Sequence, residues 1–190
     1  DKLRAIEGKV RETEARARDK FHKRGQLLPR ERVALLLDRG SPFLELSTLC
    51  GLRYHDDSDG SLAGGNTIVG VGYVSGVRAL VVANNSAIKG GTMSPWGVQK
   101  TLRAQRIALE NKLPIVVLVE SGGANLLYQQ EIFVPGGEAF YNQARLSAAG
   151  VPQICVVHGS STAGGAYLPG LSDYVIMVRN KAKVFLAGPP

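Results

Sequence analysis

Cysteine, histidine and long apolar runs are all scarce in this chain of 190 residues. Its two cysteines, Cys50 and Cys155, stand in apolar surroundings without the spacing of a metal site, which predicts two free thiols in a reducing compartment. No apolar run is long enough to span a bilayer, and the first residues are charged rather than typical of a signal peptide. The composition therefore predicts neither a metal site nor a membrane span.

The three histidines, His22, His55 and His158, offer little material for acid–base chemistry. His158 lies at the end of the apolar run VPQICVVH, where a packed core residue is expected rather than a base. Residues 159–163 loosely match the turn that carries the nucleophile of serine hydrolases, but no acid and histidine follow in the usual order. The sequence thus lacks an obvious nucleophile or base.

Charge, by contrast, is plentiful near the start of the chain. The net charge is +7, while 44% hydrophobic and 21% charged residues are ordinary for a globular protein. Much of the positive surplus lies in residues 1–39, where acids alternate with bases as on a solvated helix. This segment has no interleaved aromatic residues for base stacking, so we expect no nucleic-acid partner. A small polyanion such as coenzyme A remains compatible with the charge.

The hydrophobic pattern predicts an α/β domain. A charged helix over residues 1–24 and a short helix at RERVALLLD precede a β-hairpin over residues 67–85, with its turn at Ser75-Gly76. A helix from about Pro95 to Asn111, capped by Ser94, then leads into the buried strand PIVVLVE. The remaining predicted elements are a strand at FLELSTL, a polar loop over 55–66, a helix at EAFYNQARLSAAG, a strand at VPQICVVHG, a short helix ending near Pro169, and strands at DYVIMVR and KVFLAGPP. This alternation implies parallel crossovers.

Two glycine pairs, Gly122-Gly123 and Gly164-Gly165, directly follow the two buried strands. Ligands of α/β folds collect at the carboxyl ends of parallel strands, so both loops are expected at one edge of the sheet. Glycine there can allow a positive φ, a close approach, or open N–H groups. Two N–H donors that converge on an oxyanion contribute about 3–4 kcal/mol each in acyl chemistry, and a helix opening at Gly165 adds its dipole. We therefore predict an oxyanion site that holds an enolate or a tetrahedral intermediate.

Long segments of the chain, from about Leu27 to Pro190, resemble the carboxyltransferase (β) subunit of biotin-dependent acyl-CoA carboxylases. They are LLPRERVALLLDRGSPFLEL, ANNSAIKGGTMSP, LRAQRIALENKLPIVVLVESGGANL, FYNQARLSAAGVPQICVVHGSSTAGGAYLPGLSD and VFLAGPP. The resemblance implies a crotonase-like fold, a spiral of β-β-α units. Two parts are therefore expected: the charged N-terminal helix, over residues 1–26, precedes the resemblance, and a carboxyltransferase domain over 27–190 is incomplete at its C-terminal end.

Asn125 narrows the resemblance to one branch of the family, because SGGAN rather than SGGAR is typical of methylcrotonyl-CoA and geranyl-CoA carboxylases. The motifs ANNSAIKGG and EIFVPGG are more similar to the geranyl-CoA side. Leu127-Tyr128-Gln129 stand where methylcrotonyl-type subunits tend to carry Pro-Arg-Gln. The resemblance favours geranyl-CoA and leaves 3-methylcrotonyl-CoA open.

The reaction that the resemblance implies is carboxyl transfer from carboxybiotin to the γ-carbon of a branched α,β-unsaturated acyl-CoA. The thioester oxygen becomes an enolate, and its donors are expected at the backbone N–H of Gly123 or Ala124 and of Gly164 or Gly165. The released biotin takes the substrate proton, which would account for the missing base. The resemblance further implies that biotin is carried by a partner (α) subunit with biotin carboxylase activity and that the β subunits form a homo-oligomer, and no metal is expected in this chain. The implied location is the cytoplasm of a bacterium or the mitochondrial matrix.

The remaining predicted site residues surround the two glycine loops. Lys89, followed by Gly90-Gly91, is a candidate for the CoA phosphates, with an ordinary surface lysine as the alternative. Leu126, Leu127 and Tyr128 either line the acyl pocket or simply pack. The predicted substrate-binding set is completed by Gly122, Asn125, Ala163 and Ala166.

Two other functions stay open at this point. One is a serine hydrolase of the same superfamily fold, although Ala163 would stand at the nucleophile position. The other is a non-catalytic module that binds CoA or assembles with sister subunits. The chain begins without methionine and stops after a strand where family members continue, so we expect a fragment of an amino-terminal half that is inactive alone.

Overall fold

The computed structural model describes residues 2–187. Their strands form one seven-stranded sheet in the order β1-β2-β3-β4-β5-β6, with β7 paired to the carboxyl end of β5. The strands are β1 (Leu44–Glu45), β2 (Thr67–Val74), β3 (Val77–Asn84), β4 (Ile115–Ser121), β5 (Gln153–Thr162), β6 (Tyr174–Met177) and β7 (Lys183–Phe185). The helices are α1 (Lys2–Ala15), α2 (Arg18–Lys23), α3 (Pro29–Leu36), α4 (Pro95–Asn111), α5 (Gln129–Ala148) and α6 (Tyr167–Gly170), with short 3-10 helices at Lys89–Gly91, Leu126–Tyr128 and Ala163–Ala166.

The predicted hairpin is confirmed as β2 and β3, which pair antiparallel along their full length. Its two turn residues, Ser75 and Gly76, both have positive φ, at 51° and 78°, as a type I′ turn requires. The Asp38 carboxylate accepts both turn N–H groups at 2.7 Å. The strand predicted at FLELSTL is shorter than expected, because only Leu44–Glu45 pair with β2.

The strands from β3 to β6 are parallel neighbours, as the alternation of elements predicted. Helix α4 connects β3 to β4 and α5 connects β4 to β5, and the core between these helices and the sheet includes Leu80, Val119 and Val157. Helix α4 has the predicted bounds, and the Ser94 hydroxyl accepts the N–H of Gly97 at 3.1 Å as its N-cap. Residues 188–190, the end of the predicted strand KVFLAGPP, lie outside the described part of the chain.

The charged N-terminal segment differs from its prediction. It forms two helices, α1 and α2, and it is not solvated throughout. Val10 packs with Ala63 and Ile88, and Glu14 is only 2% exposed. The Arg30 guanidinium lies 3.1 Å from the Glu14 carboxylate, and burial raises the pKa of this carboxyl. The interleaved charges gave no sign of Glu14's burial, because its partner Arg30 lies 16 residues along the chain.

Helix α5 begins at Gln129, nine residues before the start predicted at Glu138. Pro135 lies inside it and removes one helical hydrogen bond, which is why the sequence favoured a later start. Packing on α4 compensates, since Ile132 and Ala139 bury their side chains against Val98 and Leu102. Tertiary contact therefore overrides the local signal of the proline.

Both cysteines are free thiols, and burial raises the pKa of Cys155 to about 12. Between residues 2 and 187, no cluster of histidine, cysteine or acidic side chains has the arrangement of a metal site. Nor does any helix in this range have the length and apolar character needed to cross a membrane.

Candidate active site

The two glycine loops meet at the carboxyl edge of the sheet, as predicted. Strands β4 and β5 are parallel neighbours whose last paired residues are Ser121 and Ser161. Both glycine pairs line one cavity of about 450 Å³, which α4 and α5 close from the side. Cavities of roughly 300–1,000 Å³ are typical of small-molecule sites. The convergence inferred from two separate strand ends is thus present in the structure.

The first loop is held in place by the segment before α4. Met93 donates its N–H to the Gly123 carbonyl at 2.8 Å and accepts the Asn125 N–H at 3.0 Å. Gly123 has a φ of 86°, and its own N–H donates to the Ser121 hydroxyl at 3.2 Å. Ala124, which lies between these bonds and lines the cavity, donates its N–H to no group within residues 2–187. Of the two donors predicted in this loop, Ala124 is the one left open.

The second loop has a different geometry. The helix predicted to open at Gly165 begins at Ala163, which has a φ of 50°, while neither Gly164 nor Gly165 has a positive φ. A Cβ on Gly165 would lie 3.1 Å from the Cβ of Ser121, so this glycine permits close contact between the loops. Gly164 stands at the second position of the 3-10 helix, before the first N–H that an i→i+3 bond can use. Of the two donors predicted in this loop, Gly164 is therefore the one whose N–H the 3-10 helix does not use.

No side chain that lines the cavity is acidic, basic or a histidine, within the part of the chain that the structure describes. Its walls are mainly apolar, with Ile132, Phe133 and Phe140 from α5. Polar atoms come from backbone groups, hydroxyls and the amides of Gln105 and Gln143. The cavity itself therefore offers hydrogen bonds rather than a proton acceptor.

His158 lies away from the cavity and is 5% exposed. Burial and the nearby Arg32 lower the pKa of His158 to about 3, so its imidazole is neutral. The prediction of a packed core residue is confirmed. Ser161 is fully buried and donates its hydroxyl to the Gly165 carbonyl at 2.8 Å. This bond positions the second loop and does not expose Ser161 as a nucleophile.

The residues predicted to line the acyl pocket lie in different places in the structure. Leu126 lines the cavity, whereas Leu127 is 83% exposed and lies outside its wall. Tyr128 lies in a second pocket, which we call the polar pocket because Asp56 and Lys89 line it. Its hydroxyl donates to Asp56 at 2.7 Å. Asn125 lines that same polar pocket, and its side chain accepts the Leu127 N–H at 3.2 Å.

Lys89 also lies in the polar pocket, where it forms an ion pair with Asp56. The three remaining predicted substrate-binding residues are Gly122, Ala163 and Ala166. Gly122 and Ala163 line the cavity, whereas Ala166 is not part of its wall.

Sequence reasoning missed the α5 wall and the acid beside Lys89. Phe133 and Phe140 are seven residues apart, a helical spacing that could have placed them on one face, but Pro135 concealed the helix. Asp56 lies in the segment predicted as a polar loop, and its partners Lys89 and Tyr128 are 33 and 72 residues away. No local pattern connects such distant residues.

Comparison with known proteins supports the resemblance to carboxyltransferase subunits. A family model described as the carboxyl transferase domain matches residues 20–190. A probable biotin-dependent acyl-coenzyme A carboxylase beta2 subunit of Mycobacterium tuberculosis is 54% identical over 172 residues, which is 90% of this chain and 32% of that protein. A biotin-dependent 3-methylcrotonyl-coenzyme A carboxylase beta1 subunit of the same organism is 52% identical over 92% of this chain and 33% of that protein.

Among solved structures, the beta subunit of Pseudomonas aeruginosa geranyl-CoA carboxylase superimposes with a TM-score of 0.92 at 66% identity. The match covers 99% of this chain and 35% of that subunit, so the chain spans about a third of the length of these relatives. This agreement confirms the predicted fold and the predicted resemblance. The chain belongs to the carboxyl transferase domain family.

Proposed function

We propose that this chain forms part of the carboxyltransferase component of a biotin-dependent acyl-CoA carboxylase. It would help to transfer a carboxyl group from carboxybiotin to a branched α,β-unsaturated acyl-CoA. The observation that carries the proposal is the meeting of two glycine loops, each after a parallel strand, at one mainly apolar cavity. The names of the relatives support the same reaction.

The enolate oxygen would be held by the N–H groups of Ala124 and Gly164. Both residues line the cavity, and they come from loops whose strands are hydrogen-bonded neighbours. Gly123 is the weaker candidate, because its N–H already donates to Ser121. Gly165 is weaker too, since its N–H is the first that the 3-10 helix can use internally. Donors fixed before the reaction stabilise developing charge without a reorganisation cost.

The cavity fits a reaction in which another molecule removes the proton. Among the described residues its wall holds no titratable side chain, and the neutral His158 lies outside it. Carboxybiotin, carried by a partner α subunit, would supply the carboxyl group and the proton acceptor. The role of this chain is then to bind the acyl-CoA, to orient its thioester and to exclude water from the enolate.

The α5 wall is suited to a branched hydrocarbon chain. Ile132, Phe133 and Phe140 provide an apolar surface, and Leu126 lies at its edge. A volume of about 450 Å³ accommodates an acyl group longer than methylcrotonyl. We propose geranyl-CoA as the substrate, with 3-methylcrotonyl-CoA as the alternative, because the geranyl-CoA carboxylase subunit shares 66% identity and the methylcrotonyl enzyme 52%.

Lys89 is proposed to contact the CoA phosphates. It lies beside the loop that carries Ala124, at a backbone φ of 47°, followed by two glycines that also have positive φ. Asp56 now pairs with the Lys89 ammonium, so a phosphate would compete with this carboxylate. The net charge of +7 favours such an anionic ligand. We also propose that the subunit assembles with further copies of itself.

The test is ATP-dependent fixation of labelled bicarbonate by the complete carboxylase, with its biotinylated partner subunit, on geranyl-CoA and 3-methylcrotonyl-CoA. We expect turnover on at least one, with a larger kcat/KM for geranyl-CoA. Avidin, which sequesters biotin, should abolish the signal. Absence of fixation on every branched acyl-CoA tried would contradict the proposal.

A further inference from the structure

Glu120, the first residue of the segment ESGGAN, lies at the point where β4 enters the first glycine loop. Successive strand residues face opposite sides of a sheet, and Ser121 lines the cavity, so the Glu120 side chain faces away from it. Its carboxylate accepts hydrogen bonds from the Gln26 amide at 3.0 Å and from the Ser86 hydroxyl at 2.6 Å. The side chain is 18% exposed. Glu120 therefore joins three separate parts of the chain.

Two glycines, Gly159 and Gly91, allow the neighbouring backbone to pack directly against Glu120. A Cβ on Gly159 of β5 would lie 2.6 Å from the Glu120 carboxylate, and one on Gly91 would lie 2.5 Å from the Glu120 carbonyl oxygen. Such distances are well inside van der Waals contact. Both sides of Glu120 are thus packed against backbone, and neither neighbour can carry a side chain without moving it.

The segment that contains Ser86 also holds the far end of the first glycine loop. Ser86 bonds to Glu120 before the loop, and Met93 bonds to Gly123 and Asn125 near its end. The loop is fixed at both ends to the same stretch of chain, residues 86–93. The direction of the Ala124 N–H depends on both attachments, because Ala124 lies between the last two bonds.

The charges around Glu120 leave its carboxylate free to act as an acceptor. His158 Nδ1 lies 3.9 Å from the carboxylate, but this imidazole is neutral because burial lowers its pKa. The Arg32 guanidinium also interacts electrostatically with Glu120. The hydrogen bonds to the carboxylate come from the neutral donors Gln26 and Ser86. Replacement of the carboxylate by an amide would leave one acceptor oxygen for the two donors, Gln26 and Ser86, without removing an obligatory ion pair.

We propose that Glu120 is a positioning residue for the carboxyl-transfer reaction. Through Ser86 and Gln26 it fixes the first glycine loop so that the Ala124 N–H points at the enolate oxygen. This inference rests on the proposed function of the same site. It also gives the N-terminal segment a part in the site, because Gln26 lies between α2 and α3. Misplacement of a catalytic group by about 1 Å can cost on the order of 100-fold in rate.

The experiment compares Glu120→Gln with wild type in the complete carboxylase. We expect kcat to fall by about 10- to 100-fold while the KM for acyl-CoA changes little, because the loop's donor acts on the enolate rather than on the bound thioester. Glu110→Gln is the matched control, since it makes the same change on the exposed face of α4. The double variant Glu120→Gln, Ser86→Ala should be no slower than Glu120→Gln alone, because Glu120→Gln already disturbs the bond from Ser86 that Ser86→Ala removes.

Hydrogen exchange provides a second measurement that does not depend on turnover. We expect the amides of residues 121–128 to exchange faster in Glu120→Gln and to keep the wild-type rate in Glu110→Gln. Unchanged kcat, or unchanged exchange in this loop, would overturn the proposal. A kcat loss that disappears after correction for the folded fraction would also overturn it, as a purely structural role. Wild-type enzyme that carboxylates no acyl-CoA would instead count against the proposed function.

Discussion

The loop after β4 and the loop after β5 contain the same pair of glycines and use them for different purposes. In the first loop, Gly123 supplies a backbone conformation, with a φ of 86° that few other residues adopt. In the second loop, Gly165 supplies space, because its missing side chain lets Ser121 approach. Each loop nevertheless contains one of the two proposed N–H donors, Ala124 in the first and Gly164 in the second. Similar sequences therefore reach a similar result by separate physical means.

The largest expected effect comes from the open donor of the second loop. Gly164→Pro removes an N–H, and we expect kcat to fall by about 10²–10³-fold, the usual cost of one oxyanion donor. Gly164→Ala keeps the N–H, and its Cβ would meet nothing closer than Phe140 Cζ at 3.7 Å, so its kcat should stay close to that of wild type. Steady-state kinetics on both variants, with circular dichroism to confirm folding, checks this. Equal kcat values for the two variants would remove Gly164 from the donor pair.

The close approach of Gly165 to Ser121 should be disrupted by the addition of a single methyl group. Gly165→Ala would place its Cβ 3.1 Å from both the Cβ and the hydroxyl of Ser121, the last residue of β4. Overpacking of this kind costs about 1–3 kcal/mol in the free energy of unfolding. Chemical denaturation measures it, with Gly164→Ala as the control. If Gly165→Ala were as stable as that control, the two loops would not be in the contact described.

The conformational function of Gly123 predicts a smaller loss. Gly123→Ala forces an L-residue to a φ of 86°, which we expect to cost about 1–2 kcal/mol of folding free energy. Gly123→Asn should cost less, because asparagine tolerates the left-handed region better than alanine. The difference in denaturation midpoint between the two variants tests the assignment. A larger loss for asparagine than for alanine would point to crowding by Thr162 instead of backbone strain.

The smallest effect concerns the pocket beside the first loop. Lys89→Met should raise the KM for acyl-CoA by about two- to fivefold, the range of an exposed ion pair, and leave kcat unchanged. Asp56→Asn removes the carboxylate that competes for the Lys89 ammonium, so it should lower the same KM. Titration with acyl-CoA measures both. Shifts of this KM in opposite directions for the two variants would place the CoA phosphates on the side of the first loop. Shifts of the KM in the same direction would exclude Lys89 as their ligand.

The parts of this molecule that could be predicted are those determined by neighbouring residues. The hairpin turn, the N-cap at Ser94 and the buried strands are all marked by residues within a few positions of one another: two turn residues, a capping hydroxyl and unbroken apolar runs. The convergence of the glycine loops also followed, because parallel strands place their carboxyl ends together.

The parts that could not be predicted depend on distant partners. Glu14 is buried by Arg30 and Asn85, the latter 71 residues away, and nothing in its own helix marks it as different from the exposed acids. The early start of α5 depends on packing against α4, which a local rule about proline cannot include. Asp56 stands in a polar loop, and only the folded chain shows that it shares a pocket with Lys89 and Tyr128.

A cavity to which residues 2–187 contribute no titratable side chain has a practical consequence for mutagenesis. Every residue except proline carries a main-chain N–H, so an alanine scan leaves both proposed donors in place and reports the reaction centre as tolerant. Only replacement of the peptide N–H itself, by proline or by an ester linkage at Ala124 and Gly164, removes the group that is proposed to act. In this protein the sensitive atoms belong to the one part of each residue that ordinary substitution does not change.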